Sequence, residues 1–482
     1  MRRLKLAAVA LLPIAAWALS AELPDGQRAV AAVFALTAAL FLTELLPLGL
    51  SALLGSALLV VAAGLNEKAV FAAFGDPVIP LFIGSFLLAR SMEVSGLNER
   101  IAWWVLSQPW ASGSGPRLLF ATGAVSCVVS LFVSNTATAA MLMPVVAHVV
   151  GTMHAERTRF ATGMVLMLAW GSSVAVGFPV GTPPNLIGLG LIEQATGQRI
   201  GFVQWMGFAM PITAVALAMA WLLLHLRTRR HYPDTAGVLA LARDAYAALP
   251  RMGDAQRNTL IAFGAALTLW VVPDLTVNAI HLLGLSTIPL AKWMQDRLTP
   301  TVAALTGAAL LFVLPARDRP GGRALTWQEA MGIDWGVILL FGGGIALGQA
   351  MFSSGLAQSL GDAAARASGA DGLWEITVLA TLCAILLSEF ASNTAAATTM
   401  VPVAIALAEG AGVSPVAPAL GAALGASFGF MLPVSTPPNA IVYSSGHVSS
   451  AEMMSRGLAL DIAGFVAILA CLRLVLPVLG LA

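Results

Sequence analysis

Long apolar runs dominate the chain. They lie near residues 4–20, 29–46, 48–64 and 77–95, followed by two longer ones at 117–151 and 158–190. Further runs fall near 208–226, 257–273, 301–315 and 333–356, then a second long pair at 373–409 and 416–445, and a last at 457–480. About 20 mostly apolar residues suffice for a helix to cross a bilayer. The pattern therefore predicts an all-α polytopic membrane protein. Polar residues collect between the runs, except at four places where a short polar cluster interrupts a long run.

Two of these clusters match each other. "FVSNTATAAMLMPV" (132–145) and "FASNTAAATTMVPV" (390–403) share eight of fourteen positions, with Ser-Asn-Thr at the centre of both. The other two also match: "FPVGTPPNLI" (178–187) and "LPVSTPPNAI" (432–441) share seven of ten. The order is the same in both halves of the chain, which is the mark of an internal repeat.

Basic residues predict the orientation. Arg2, Arg3 and Lys5 precede the first run, Arg157 and Arg159 follow the first long one, and Arg227, Arg229, Arg230, Arg243, Arg251 and Arg257 crowd one loop. Arg317, Arg319 and Arg323 form a further cluster. If all these loops are cytoplasmic, run 117–151 cannot cross. It must fold as a re-entrant hairpin that turns at Ser-Asn-Thr. An odd number of crossings then separates it from 373–409, so the second hairpin enters from outside. The expectation is about eleven transmembrane helices and two re-entrant hairpins in an inverted repeat. The N-terminus would be cytoplasmic and the C-terminus external. The double prolines remove backbone donors and break helices, so 158–190 and 416–445 should each be two half-helices around an unwound loop. Such breaks persist in a membrane only where protein or a wet cavity satisfies the freed backbone.

Each interruption presents a half-helix N-terminus, with free N–H groups and partial positive charge. Ser, Thr and Asn are also favoured N-caps. This makes an anion site without a lysine or arginine. The exposed carbonyls, with the Ser, Thr and Asn side-chain oxygens, suit a hard monovalent cation such as Na⁺. Discontinuous helices meeting near the midplane of an inverted repeat are the architecture of secondary transporters. Serine and asparagine in membrane helices often serve only as local or interhelical hydrogen-bonders. Two ordered pairs in opposed topology exceed that role.

Composition supports this picture. The 482 residues are 58% hydrophobic and 10% charged, against about 25% charged in a soluble domain. The basic, apolar N-terminus mimics a signal peptide but reads better as a first transmembrane helix. Cys127, Cys383 and Cys471 have no metal or CxxC spacing and read as core hydrophobes. No HExxH motif occurs, and no His or Asp sits beside the conspicuous serines, which argues against an enzyme. An anion channel would need a continuous polar path. Among titratable residues near the motifs, Glu389 is expected to pair structurally, His148 to lie at the membrane interface and Glu44 to hydrogen-bond within the scaffold. The segment Arg227–Asn258 reads as a cytoplasmic amphipathic helix, either an arm or a solvated linker, and Ser368–Gly372 as a turn before the second hairpin.

These paired motifs, with "TELLPLGLSAL" (43–53), resemble the divalent anion/sodium symporters, the sodium-coupled dicarboxylate, citrate and sulfate carriers. The resemblance covers essentially the whole chain. It implies a homodimer in an inner membrane, with an elevator-type motion of a transport domain past a scaffold. It implies scaffold helices over 1–95, transport repeat 1 over 96–207, scaffold and cytoplasmic arm over 208–332, a linking helix over 333–372, transport repeat 2 over 373–450 and a C-terminal helix over 451–482. Carried over by position, Ser134, Asn135, Thr136, Ser392, Asn393 and Thr394 would bind substrate carboxylates, and Thr182, Pro183, Thr436 and Pro437 would close the site. A first sodium would bind Ser130, Ser134, Asn135 and the Gly181 backbone; a second would bind Ser388, the Ala391 backbone, Asn393 and the Ser435 backbone. Ser435 stands where Gly181 stands in the first repeat, so crowding there is expected to differ. The expected activity is Na⁺-coupled import of a C4-dicarboxylate such as succinate, malate or fumarate. Sulfate or citrate symport and dicarboxylate exchange are the alternatives. An exchanger should carry a fixed cation at a tip, and none stands there. No nucleic-acid partner is expected.

Overall fold

Serine and asparagine decide where the first long run turns back. The computed structural model describes residues 2–153, 158–229, 232–282, 289–368 and 372–481. In it, Gly115–Ser130 and Asn135–Thr152 are two helices joined by a tight turn. Ser134 is the N-cap of the second arm, its hydroxyl accepting from the Ala137 N–H at 3.2 Å. The second hairpin repeats the design. Leu373–Phe390 and Asn393–Gly410 flank Ser392, whose hydroxyl accepts from the Ala395 N–H at 3.3 Å.

The prolines break the helices where expected. Arg159–Ser173 ends in an unwound stretch with a 3₁₀ turn at Pro179–Gly181, and the helix resumes at Pro183–Thr196. In the second repeat Val416–Gly425 gives way to an unwound stretch before Pro437–Ser444. Pro183 and Pro437 occupy the first helical position, where the missing N–H costs nothing and the ring's fixed φ suits the helix.

Around these parts stand longer helices. Asp25–Thr43, Leu48–Val61 and Val78–Ser95 precede the first hairpin, and Phe202–Thr228, Asp254–Leu282, Pro300–Val313 and Trp335–Ser353 separate the repeats. Ser450–Val475 closes the chain. Seven helices among the described residues are long and apolar enough to cross a membrane. The only β structure among the described residues is an isolated bridge, Pro315 to Arg323. Element order repeats: Val78–Ser95, a short helix, hairpin, broken helix and Phe202–Thr228 match Trp335–Ser353, a short helix, hairpin, broken helix and Ser450–Val475.

Helix approach is set by small residues. A methyl group on Gly171 would lie 2.6 Å from the Gly123 carbonyl oxygen, so the outer arm of the first hairpin packs backbone to backbone on Arg159–Ser173. Membrane helices associate through such close contacts because apolar burial alone gains nothing in lipid.

The two short helices, Leu97–Leu106 and Leu356–Ser368, are absent from the sequence reading. Each leads into a hairpin. The segment Arg227–Asn258 contains a helix at Ala236–Ala248, which packs on Leu97–Leu106 and Asn135–Thr152 and is therefore not a free linker. Of the expected turn at 368–372, residues 369–371 lie outside the described residues; Ser368 ends one helix and Gly372 caps the next. His148 is exposed on the first hairpin, its ring edge-on to Trp103 at 6.5 Å.

Candidate functional site

The four interruptions meet. One cavity of about 610 Å³ is lined by Ser134, Asn135 and Thr136, by Gly181, Thr182 and Pro183, by Ser392, Asn393 and Thr394, and by Thr436 and Pro437. Ser134, Ser392, Thr182 and Thr436 are each the N-cap of the helix that follows. Four helix N-termini therefore converge on one space, each directing partial positive charge at it; the two hairpin tips also bring backbone N–H groups, whereas the double prolines supply none at the first two positions of their helices. Thr436 caps through its own hydroxyl, 3.3 Å from the Asn439 N–H. Thr182 does not; its hydroxyl lies 3.1 Å from that of Ser427, tying the first unwound loop to the second.

The remaining predicted residues lie behind the cavity wall. Ser130, Ser388, Ala391 and Ser435 are buried and do not line it. Ser130 donates its hydroxyl to Asn135 Oδ1 at 2.7 Å, and Ser388 stands at 2.9 Å from Asn393 Oδ1 in the same relation. The pairing is local, five residues apart across each hairpin turn. Backbone carbonyls lie close by in both repeats. A methyl on Gly181 would lie 2.7 Å from the Ala175 oxygen and 3.4 Å from that of Leu131. In the second repeat the Ser388 hydroxyl reaches the Ala426 oxygen at 2.7 Å, and Asn393 Nδ2 reaches that of Ser427 at 3.5 Å. Each group is built of oxygens with no fixed positive charge, a donor set suited to a hard cation.

Ser435 differs from Gly181 in a compensated way. Its hydroxyl lies 2.9 Å from the Gly429 and Ser388 oxygens. Gly429 makes room for it: a methyl on Gly429 would fall 2.3 Å from that hydroxyl. In the first repeat the pair is reversed, with Ala175 facing Gly181. Volume has moved from one side of the loop to the other. Gly181→Ser is accordingly expected to overpack against Ala175, at a cost of about 1–3 kcal/mol, and to weaken Na⁺ activation of uptake. An unchanged Na⁺ dependence of uptake in this variant would remove the steric explanation.

Several residues that shape the site were not singled out in the sequence. Asn185 donates from Nδ2 to the Val176 and Phe178 carbonyls at 3.1 and 2.9 Å, and Asn439 to those of Gly429 and Leu432 at 3.1 Å each. These asparagines hold the unwound loops closed, which explains the last residue of Thr-Pro-Pro-Asn. Glu389 pairs structurally as expected, but with backbone. Its carboxylate accepts from the Met431 N–H at 2.9 and 3.2 Å and from the Leu432 N–H at 3.0 Å. Asp461 of Ser450–Val475 accepts from the Phe430 N–H at 3.3 Å. Three consecutive amides of the second loop thus rest on two buried carboxyl groups. Sequence distance hid this, because 42 residues separate Glu389 from Met431 and 31 separate Asp461 from Phe430. The first repeat has Leu131 where the second has Glu389.

The cavity mouth is charged. Glu44, Arg90, Glu93 and Asp334 line it. Glu44 does not hydrogen-bond within the scaffold as expected. It sits exposed at a helix end with φ 48°, the left-handed region, and its side chain has no partner among the described residues. Arg90 pairs with Glu93 at 2.8 Å and donates to the Glu329 carbonyl at 3.4 Å. The Glu329 side chain pairs with Arg319. Burial alone would raise the Glu329 carboxyl. Hydrogen bonds from Thr326, with Arg319 and Arg90 nearby, outweigh burial and hold it below the usual carboxylate range.

The model of the sodium:sulfate symporter transmembrane region matches residues 1–481. The chain belongs to the sodium:sulfate symporter family. Within this family of divalent anion/sodium symporters, it is 31% identical over 474 residues to the sodium-dependent dicarboxylate transporter SdcS of Staphylococcus saprophyticus, covering 95% of this chain and 88% of that one. It is 30% identical over 470 residues to the protein of the same name from Staphylococcus aureus, with 95% and 87% covered. Among solved structures, the Alcanivorax borkumensis YdaH transporter superposes with a TM-score of 0.59 at 16% identity, over 86% of this chain and 88% of that one. At that identity the likeness concerns the fold. The symporter family identifies the chain as a multi-pass membrane transporter rather than an enzyme.

Proposed function

We propose that this symporter couples Na⁺ to the import of a C4-dicarboxylate, with succinate, malate or fumarate as substrate. One observation carries the reading: four helix N-termini meet at a single cavity that has no lysine or arginine at its tips. Ser134, Asn135, Thr136, Ser392, Asn393 and Thr394 would hold the two carboxylates through hydroxyl, amide and backbone N–H donors, while Thr182, Pro183, Thr436 and Pro437 close the walls. Ser130, Ser134, Asn135 and the Gly181 backbone would take one Na⁺; Ser388, the Ala391 backbone, Asn393 and the Ser435 backbone would take another. The names of the two staphylococcal relatives support the substrate class and the ion.

Each asparagine belongs to both kinds of site. Na⁺ would bind first, replacing the Ser–Asn hydrogen bond at each turn and drawing hairpin and loop together. The ordered tips then present their donors to the anion. The loaded transport repeats, 96–207 and 373–450, would move elevator-fashion past a scaffold of 1–95 and 208–372, in a homodimer within the inner membrane. Arg90, which lines the cavity, donates to the carbonyl of Glu329, whose side chain pairs with Arg319 of the arginine-rich loop. With arginine-rich loops inside, the N-terminus is cytoplasmic, the C-terminus external, and this conformation is open inward.

The test is radiolabelled succinate uptake into proteoliposomes under an inward Na⁺ gradient, against choline. Uptake that requires Na⁺ supports the reading. Equal substrate binding in choline would remove the ordering step. No succinate uptake by folded protein would transfer the reading to sulfate, which the family description names, or to citrate. Trans-succinate stimulation without Na⁺ would indicate exchange. Thr394→Val, which deletes one hydroxyl donor, is expected to raise the KM for succinate about 10-fold while changing that for Na⁺ far less. Equal loss of both would refute its assignment to the anion.

A further inference from the structure

Arg456 lies near the start of Ser450–Val475, away from the substrate cavity. It is 8% exposed. Its Nη2 pairs with Glu452 at 3.3 Å, while its buried Nη1 has no hydrogen-bond partner among the described residues. Two more arginines stand within electrostatic reach: Arg159, at the first position of Arg159–Ser173, and Arg227, in the last turn of Phe202–Thr228. Packing of Phe202–Thr228 on both Arg159–Ser173 and Ser450–Val475 fixes this convergence. The carboxylate of Glu452 is shared, since it also accepts from the Ser449 hydroxyl at 3.1 Å. Beside it lies an open depression of about 850 Å³ whose lining includes Arg159, Thr162, Ser449 and Glu452. That depression shares no residue with the substrate cavity.

Three guanidinium groups lie near one another here, and among the described residues the ion pair to Glu452 is made by Arg456 alone. Like charges repel, and a buried charged donor left unpaired is costly. Thr158 caps the N-terminus of Arg159–Ser173, so the positive end of a helix dipole adds to the excess. A planar guanidinium pairs well with the oxygens of a phosphate, which would supply the missing acceptor and neutralise the cluster together. Basic pockets between membrane helices on the cytoplasmic side are suited to anionic head groups.

We infer that Arg159, Arg227 and Arg456 form a second anion site, which takes a phosphate group, of an anionic phospholipid or free in solution. The site joins three helices at one end, so its occupant should stabilise the folded protein.

The experiment is thermal unfolding of the purified full-length protein, followed by its tryptophan fluorescence. One arm compares phosphatidylglycerol with phosphatidylcholine in mixed micelles. The other compares inorganic phosphate with chloride at equal ionic strength. Wild type should gain several degrees in Tm from phosphatidylglycerol beyond phosphatidylcholine if the group is a lipid's, or from inorganic phosphate if it is free. Arg456→Gln should lose that gain. Should that buried variant fail to fold, the exposed pair Arg159→Gln with Arg227→Gln must lose most of it. An absent anion-specific shift in both arms, or a full shift in the exposed double variant, overturns the site.

Discussion

Asn135→Ala and Asn393→Ala are each expected to cut Na⁺-driven succinate uptake by about 10- to 100-fold, the range for losing hydrogen bonds to charged partners. Each asparagine starts the inner arm of a hairpin, so its backbone faces the cavity, while its side-chain oxygen meets Ser130 at 2.7 Å or Ser388 at 2.9 Å behind it. Asn393 also reaches the Ser427 carbonyl of the unwound loop. On the proposed site assignment, alanine removes a cation ligand and loosens the anion donors together. Apparent affinities for Na⁺ and succinate should fall in parallel, unlike the selective effect of Thr394→Val. The check is initial uptake rate against Na⁺ at several succinate concentrations. A variant that lost succinate affinity with its Na⁺ curve unmoved would separate the two sites and break the proposed coupling.

Glu389→Ala is expected to be the most destabilising single change near the site. The side chain is 1% exposed and accepts from two consecutive amides of the second unwound loop. Removing it leaves both donors without their carboxylate acceptor. At about 1–3 kcal/mol for each buried donor, the loss is on the order of 2–6 kcal/mol. Thermal unfolding should show a marked fall in Tm, and uptake should be lost, because the loop also carries the Gly429 carbonyl that Ser435 and Asn439 grip. Glu389→Gln keeps one acceptor and should lie between wild type and alanine. An alanine variant with unchanged Tm would mean the loop amides find other partners.

How far these features could be read beforehand depends on their range along the chain. The hairpins, the broken helices and the position of each cap were legible because they follow from neighbours: a Ser before an Asn-Thr start, or a Thr before two prolines. The internal repeat was legible because two copies of one polar triplet in apolar runs have few other physical explanations. The short helices Leu97–Leu106 and Leu356–Ser368 escaped because neither forms a membrane-length apolar run. The roles of Asn185, Asn439 and Asp461 escaped because their partners are the carbonyls and amides of unwound backbone, whose directions no local pattern specifies.

The sequence by itself determined the class of protein, the four places where membrane helices are interrupted, and the kind of donor each presents. Those are matters of local backbone chemistry, which proline, serine and asparagine settle within a few residues. Only the tertiary structure decided that the four interruptions share one cavity, that Ser130 and Ser388 sit behind it, and that Ala175 with Gly181 trades volume against Gly429 with Ser435. It likewise decided that two carboxyl groups carry the second loop and that Arg159 and Arg227 come near Arg456, which pairs with Glu452. Such arrangements depend on how closely helices far apart in the chain approach, and that distance is set by packing across the whole molecule.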